Sequence, residues 1–205
     1  MTNSFFRGKR PWSNIKDQVL GSYMPPYLSK VAKLNKPILI VDAFAGPGKF
    51  EDSSPGSPLI ICQAAEKHAR DQYLAIFVNR EKEDHEKLSS VLRAFIDQEK
   101  VISIYGPAES LLAEVHQILT DQTVFLYIDP FGLKGCEFSL LEPFIMRDKV
   151  HSTEIVINLS VPTIHRLAAC KAVAAGRKDL KQIRGFNRRL TQVLGGDYWQ
   201  EIMWN

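Results

Sequence analysis

The 205-residue chain predicts an α/β fold: a doubly wound, mainly parallel sheet with helices on both faces. Three observations carry this reading. Between Pro37 and Leu159, short, mostly apolar runs alternate with segments of helical apolar spacing. Turns containing glycine follow the first and fourth runs, and the length suits one domain rather than two.

Taken in order, "WSNIKDQVLGSYMPPYLSKVAKL" predicts a helix starting near Ser13, interrupted at Pro25–Pro26 and resumed to Leu34. The runs "PILIVD" (37–42), "YLAIFV" (73–78), "VISIY" (101–105), "TVFLYID" (123–129) and "EIVINL" (154–159) read as strands. Strands covered on both faces look like this because neither side needs polar residues. Leu88, Val91, Leu92, Phe95 and Ile96 follow helical spacing, as do Leu111, Leu112, Val115, Ile118 and Leu119. "GSP" at 56–58 supplies Ser57 as an N-cap and Pro58 at the first helical position, so a helix is expected from there to about Arg70. From Phe138 to Asp148, Pro143 inside the apolar pattern predicts a broken or short helix. The implied organisation is an N-terminal helical segment over 1–36, a Rossmann-like core over 37–160 and a basic helical C-terminal segment over 161–205.

Composition narrows the class. The apolar fraction of 45% and charged fraction of 24% are those of an ordinary globular protein, and no apolar run approaches the length of a membrane span. Met1 to Pro11 is basic but lacks the apolar core of a secretory signal, so a cytoplasmic protein is expected. Cys62, Cys136 and Cys170 are widely spaced, which predicts buried free thiols rather than a disulfide framework or zinc site. His68, His85, His116, His151 and His165 show no metal-ligand spacing, so a metal-dependent nuclease or nucleoside hydrolase using Asp42 and Asp129 is disfavoured. The net charge of +3 conceals one local feature: Arg166 to Arg189 holds eight Lys/Arg against one Asp.

In a doubly wound sheet, ligands bind outside the carboxyl ends of the strands near the point where the strand order reverses, so motifs are sought there. The first strand ends at Asp42 and runs into "AFAGPG". There is no GK[ST] of a phosphate loop. Nor is this the dinucleotide fingerprint, because a polar insertion from Lys49 to Gly56 stands where a helix with a third glycine would begin. A carboxylate beside a glycine turn suits a cationic ligand, and S-adenosylmethionine carries an ammonium and a sulfonium. The candidate cofactor residues are Asp42, Ala43, Phe44, Ala45, Gly46 and Gly48. Asn79 and Glu81 follow strand two, where acids commonly hold ribose hydroxyls, and Glu109 follows strand three, where capping of the next helix is the competing role. After strand four, "YIDPFG" places Asp129, the Pro130 carbonyl and the Phe131 ring together: two acceptors for an amine and a surface on which a base can stack. Lys49, Arg177, Lys178, Lys181, Arg184, Arg188 and Arg189 are candidates for phosphate contact, with a solvated helix face as the alternative.

With its leading "KDQVLGSYMPPYL" helix and trailing "LGGDYWQ", the combination of "VDAFAGPGKFEDSSPGSPL" and "YIDPFGLKG" resembles the three-Cys-motif partner (TcmP) proteins, over Trp12 to Trp199. That family is similar to class I S-adenosylmethionine-dependent methyltransferases with a Rossmann-like sheet. The resemblance implies that cofactor, a bacterial or phage-associated setting and a three-Cys-motif partner protein. Asp42, Phe44, Ala45, Gly46 and Gly48 match its cofactor turn, Lys49 a usually basic position, Gly56–Ser57–Pro58 its helix start, and Asp129–Pro130–Phe131–Gly132 its DPFG. Asn79 departs, since an acid is usual there, and DPFG places its aromatic one position earlier than the [DN]PP[YFW] of amino-methyltransferases. Two further strands are normal in such enzymes and "GGDYWQEIMWN" gives no strand pattern, so a truncated piece, a shortened homologue or a disordered remainder is expected. The implied function is methyl transfer to an amino group of a nucleic acid. The alternative is a non-catalytic interaction protein that keeps the fold.

Overall fold

The computed structural model describes residues 11–148, 152–168 and 180–204. In chain order these form α1 (Pro11–Val31), a 3-10 turn (Ala32–Leu34), β1 (Ile38–Asp42), α2 (Ser57–His68), β2 (Tyr73–Asn79), α3 (Lys82–Val91) and α4 (Arg93–Ile96). Then follow β3 (Val101–Tyr105), α5 (Ala108–Ile118), β4 (Thr123–Ile128), α6 (Phe138–Ile145), β5 (Thr153–Ile157), α7 (Val161–Ala168), α8 (Leu180–Leu194) and α9 (Trp199–Trp204). Each of the five expected strands is present within two residues of its expected bounds.

The strand order is β3-β2-β1-β4-β5. β1 pairs in parallel with β2 and β4, and β2 with β3. The sheet is therefore the doubly wound, Rossmann-like arrangement that the alternating pattern predicts, with its order reversing beside β1. Asp42 lies opposite Phe77 on one side and Tyr127 on the other, so the end of β1 is at the switch point.

Every residue of β1 and of β4 is buried. Successive strand side chains point to opposite faces, which divides the core in two. Ile38, Ile40, Ala75, Phe77, Phe125 and Tyr127 belong to one cluster with buried residues of α1, α2 and α3. The alternate residues, among them Leu39, Val41, Ile76, Val78 and Leu126, are buried on the other face, where α5 packs with Leu111, Leu112 and Val115 inward. Each large apolar side chain buried in this way contributes about 1.5–3 kcal/mol relative to exposure.

The two prolines do not interrupt α1, which continues through Pro25 and Pro26 to Val31. A proline in a helix interior clashes with the carbonyl four residues back and removes a donor, at about 3 kcal/mol. Here Met24, Tyr27, Leu28 and Val31 are buried, α1 packs on α2, and Tyr27 lies against Phe125 with ring centroids 5.1 Å apart. Burial on both sides of the proline pair outweighs the local penalty. Pro143 is likewise inside α6, which is short, at eight residues.

The chain divides into two compact units, Met1–Ile128 with Asp148–Val156, and Asp129–Arg147 with Ile157–Asn205. The first holds the sheet core. In the second, α8 packs on α6 and α7, with Ile183, Leu190 and Val193 inward. Gly195 follows α8 with φ +78°, and a Cβ there would come within 2.8 Å of the Phe138 ring, so only glycine allows this approach. Trp199 is buried and donates from Nε1 to Thr191 Oγ1 at 3.1 Å. No described helix is long and apolar enough to cross a membrane.

Candidate cofactor turn

The turn after β1 is built on Asp42, which is fully buried at 0% exposure. Its Oδ1 accepts from the Phe44 backbone N–H at 3.1 Å and its Oδ2 from the Ser57 hydroxyl at 2.7 Å. A buried carboxylate needs such donors, and bonds of this type are among the stronger ones in proteins. Asp42 therefore ties the start of the turn to the first residue of α2. The N-cap of α2 is Gly56 and Ser57 is its first helical residue, so the helix starts one residue earlier than the capping pattern suggests. The reason is chemical: the Ser57 hydroxyl is engaged by Asp42 instead of the helix N-terminus. The helix ends at His68 rather than near Arg70, and Gln72 N–H closes a turn onto Ala69 O at 3.0 Å.

The polar insertion folds back on itself. Lys49 and Pro55 form an antiparallel bridge, and Phe50 N–H donates to Ser54 O at 3.0 Å. This returns Gly56 to Gly48, whose carbonyl accepts from Gly56 N–H at 2.9 Å. Gly48 has φ +81°, and a Cβ there would lie 2.8 Å from Leu88 Cδ1 and 3.2 Å from Val91 Cγ1. Its lack of a side chain thus lets α3 approach the turn.

Asn79 gives the turn its second anchor. It is buried, donates from Nδ2 to Gly46 O at 3.3 Å, and its own carbonyl accepts from Gly106 N–H at 2.9 Å. A carboxylate at this position has no N–H to give. The departure from an acid thus has a visible consequence: the end of β2 holds the glycine turn.

Ala43, Ala45 and Gly48 are buried with Asp42 and Asn79, whereas Phe44 and Gly46 are half-buried. The reachable part of the turn is the backbone and ring at Phe44 and the backbone at Gly46. Glu81, exposed, is the N-cap residue of α3, and Glu109, half-buried, lies in the first turn of α5 where the helix dipole favours a carboxylate. Lys49 is exposed on the insertion. These residues share the carboxyl side of the sheet by topology. Ser57, Leu88 and Val91 were not among the sequence candidates; "GSP" reads as a cap and the two apolar residues as ordinary core, and only the fold shows them holding the turn.

In the second unit, Asp129 is half-buried, Pro130 buried and Phe131 67% exposed. Gly132 follows with φ +92° and nothing within 4 Å of an added Cβ, so that glycine serves the backbone conformation alone. On α8, Arg184, Arg188 and Arg189 are exposed opposite the Ile183–Leu190–Val193 stripe. Lys181 lies on the same helix, while Arg177 and Lys178 are outside the described residues, as is Cys170. Cys62 and Cys136 are free and buried, as expected of them. Among the described residues, no group of three or more His, Cys, Asp or Glu is placed to hold a metal ion.

No protein-family model and no curated protein matches the chain. Among solved structures it is similar to a methyltransferase from Geobacter sulfurreducens, at 14% identity and a TM-score of 0.38 over 62% of this chain and 54% of that one. It is also similar to a protein described as "a putative caffeoyl-CoA O-methyltransferase" from Staphylococcus aureus, at 12% identity and a TM-score of 0.42 over 92% of this chain and 76% of that one. The chain spans about half the length of the first.

Proposed function

We propose that the chain binds S-adenosylmethionine over the turn that follows β1 and transfers its methyl group to an amine, as a member of the three-Cys-motif partner group that its motifs resemble. The observation that carries this reading is the doubly anchored turn at the switch point, held by Asp42 to Ser57 and by Asn79 to Gly46. The residues fit such a ligand in one way that differs from the simplest expectation. Both Asp42 oxygens accept bonds from within the protein, so the cationic end of the ligand is assigned to the half-buried backbone at Phe44 and to the second lone pair of the Gly46 carbonyl, the first being taken by the Asn79 amide. Glu81, exposed at the end of β2, is assigned the ribose hydroxyls, because the Asn79 amide is committed to the turn.

The cofactor, when bound, supplies an electrophilic methyl group on a sulfonium. Asp129 and the Pro130 carbonyl are proposed to orient an incoming amine, and Phe131 to stack on the ring that carries it; this rests on their chemistry and their place after β4. Positioning supplies most of the rate, since a neutral amine attacks without prior removal of a proton. The exposed arginines of α8 support a nucleic acid as the molecule bearing that amine.

Calorimetric titration with S-adenosylmethionine and with its demethylated product tests the first step, and saturable binding of both is expected. A folded sample giving no heat at millimolar ligand ends the proposal. Asp129→Ala is expected to remove methylation of amine-bearing nucleic acid while leaving cofactor affinity within a few-fold. Arg188→Ala with Arg189→Ala is expected to lower the salt dependence of nucleic-acid binding by up to about two phosphate contacts; an unchanged slope removes this surface from the reading. The second reading, a non-catalytic interaction protein, is favoured by the full internal engagement of Asp42 and is established if the cofactor binds but no acceptor is methylated.

A further inference from the structure

The opposite, amino-terminal end of the same strands carries a cavity of about 670 Å³. The strands rise roughly 3.3 Å per residue, which puts it about 13 Å along β1 from Asp42. Its walls include Leu39, Leu74, Ile76, Ile102, Ile118 and Leu119, and its size is that of a small-molecule site. Ile102 and Ile118 are 44% and 69% exposed, unusual for isoleucines so close to a packed sheet. The rim bears one charge of each sign, Lys36 and Asp71, and three primary amides, Asn35, Gln72 and Gln122. The buried Oε1 of Gln72 has no hydrogen-bond partner among the described residues.

We propose that this cavity binds a neutral planar heterocycle containing a cyclic amide, that is, an N–H adjacent to a carbonyl. Opposed rim charges favour neither an anion nor a cation. The apolar walls suit the faces of a ring. A primary amide presents an acceptor and a donor side by side, and a cyclic amide returns the complementary pair as two parallel hydrogen bonds, the pairing by which Asn and Gln read nucleobase edges. Gln72 lines the cavity, and rotation about its last side-chain torsion, which is broad for glutamine, is the movement this pairing requires. A donor that reaches its unsatisfied oxygen gains more than it would at a group already solvated. This site stands on the first unit alone and does not depend on the cofactor reading.

The test uses the full chain with labelled isoleucine methyl groups, titrated separately with uridine and with N3-methyluridine, which lacks the N–H. Uridine is expected to shift the methyl signals of Ile102 and Ile118, with S-adenosylmethionine present or absent, and N3-methyluridine to bind about tenfold more weakly. Gln72→Leu is expected to abolish that difference while retaining weak binding of both. Absence of shifts at millimolar uridine, equal affinity for the two nucleosides, or shifts confined to Ile40 and Ile61 on the other face overturns the proposal. The comparison of the two nucleosides decides the matter on the unsubstituted chain even if the variant does not fold.

Discussion

Ser57 donates its hydroxyl to Asp42 at 2.7 Å and so joins the last residue of β1 to the first residue of α2. The fourteen residues between them are thereby held as a closed loop whose waist is the Gly56–Gly48 backbone bond. Because Asp42 has no solvent to replace a lost donor, Ser57→Ala is expected to lower the free energy of unfolding by about 1.5–3 kcal/mol, the range for hydrogen bonds to charged groups. Urea denaturation measures this directly. A loss below about 0.5 kcal/mol would mean that another donor takes over and that the pair does not hold the loop.

Gly48 and Gly132 separate two uses of glycine. Both have positive φ, yet an added Cβ at Gly48 meets Leu88 at 2.8 Å and at Gly132 meets nothing. Gly132→Ala should therefore cost only the backbone term, about 1–2 kcal/mol, whereas Gly48→Ala adds overpacking against α3 of about 1–3 kcal/mol. Equal losses in the two variants would contradict the packing role given to Gly48.

Glu66 accepts from Lys100 at 2.8 and 3.0 Å and from Tyr73, and its carboxyl is held below the usual carboxylate range, chiefly by the Lys100 hydrogen bond. A folded pKa below the unfolded one means stability that is present above the unfolded pKa and lost as pH falls through the folded value. The stability gap between the natural chain and Lys100→Met is thus expected to narrow on acidification from about pH 6 to below about pH 4. Thermal melts across that range check it, and a gap independent of pH removes Glu66 as the cause.

Burial pushes the thiols of Cys62 and Cys136 up to about 12, with Glu66 and Glu137 adding smaller contributions in the same direction. Only the thiolate reacts readily, so at neutral pH both should resist iodoacetamide until the chain unfolds. Mapping the labelled sites by mass spectrometry settles this; rapid native labelling at Cys62, with 0% exposure, would show that the α1–α2 layer opens readily.

How much of the site was legible depended on the range of the interaction. Asp42 and the glycines announced a turn because local conformation restricts which residues can stand there. The partners did not announce themselves, since Ser57 looks like any helix cap and Leu88 like any core residue. Asn79 illustrates the same limit from the other side: as a single letter it is a missing acid, and only its contact with Gly46 makes it a donor with a task. The prolines of α1 show local preference being overruled, because Met24 and Leu28 are fully buried on either side of them.

The sequence by itself determined the strands, their parallel arrangement and the place of the glycine turn, because burial on both faces and the steric demands of a turn act on neighbouring residues and leave a pattern in them. Tertiary structure alone decided that Asp42 is spent on Ser57, that Gly48 makes room for α3, and that a cavity lies at the far end of the strands. Those outcomes depend on which side chains meet across tens of residues, and a hydrogen bond or a packing contact between distant positions imposes no spacing that a linear reading can recognise.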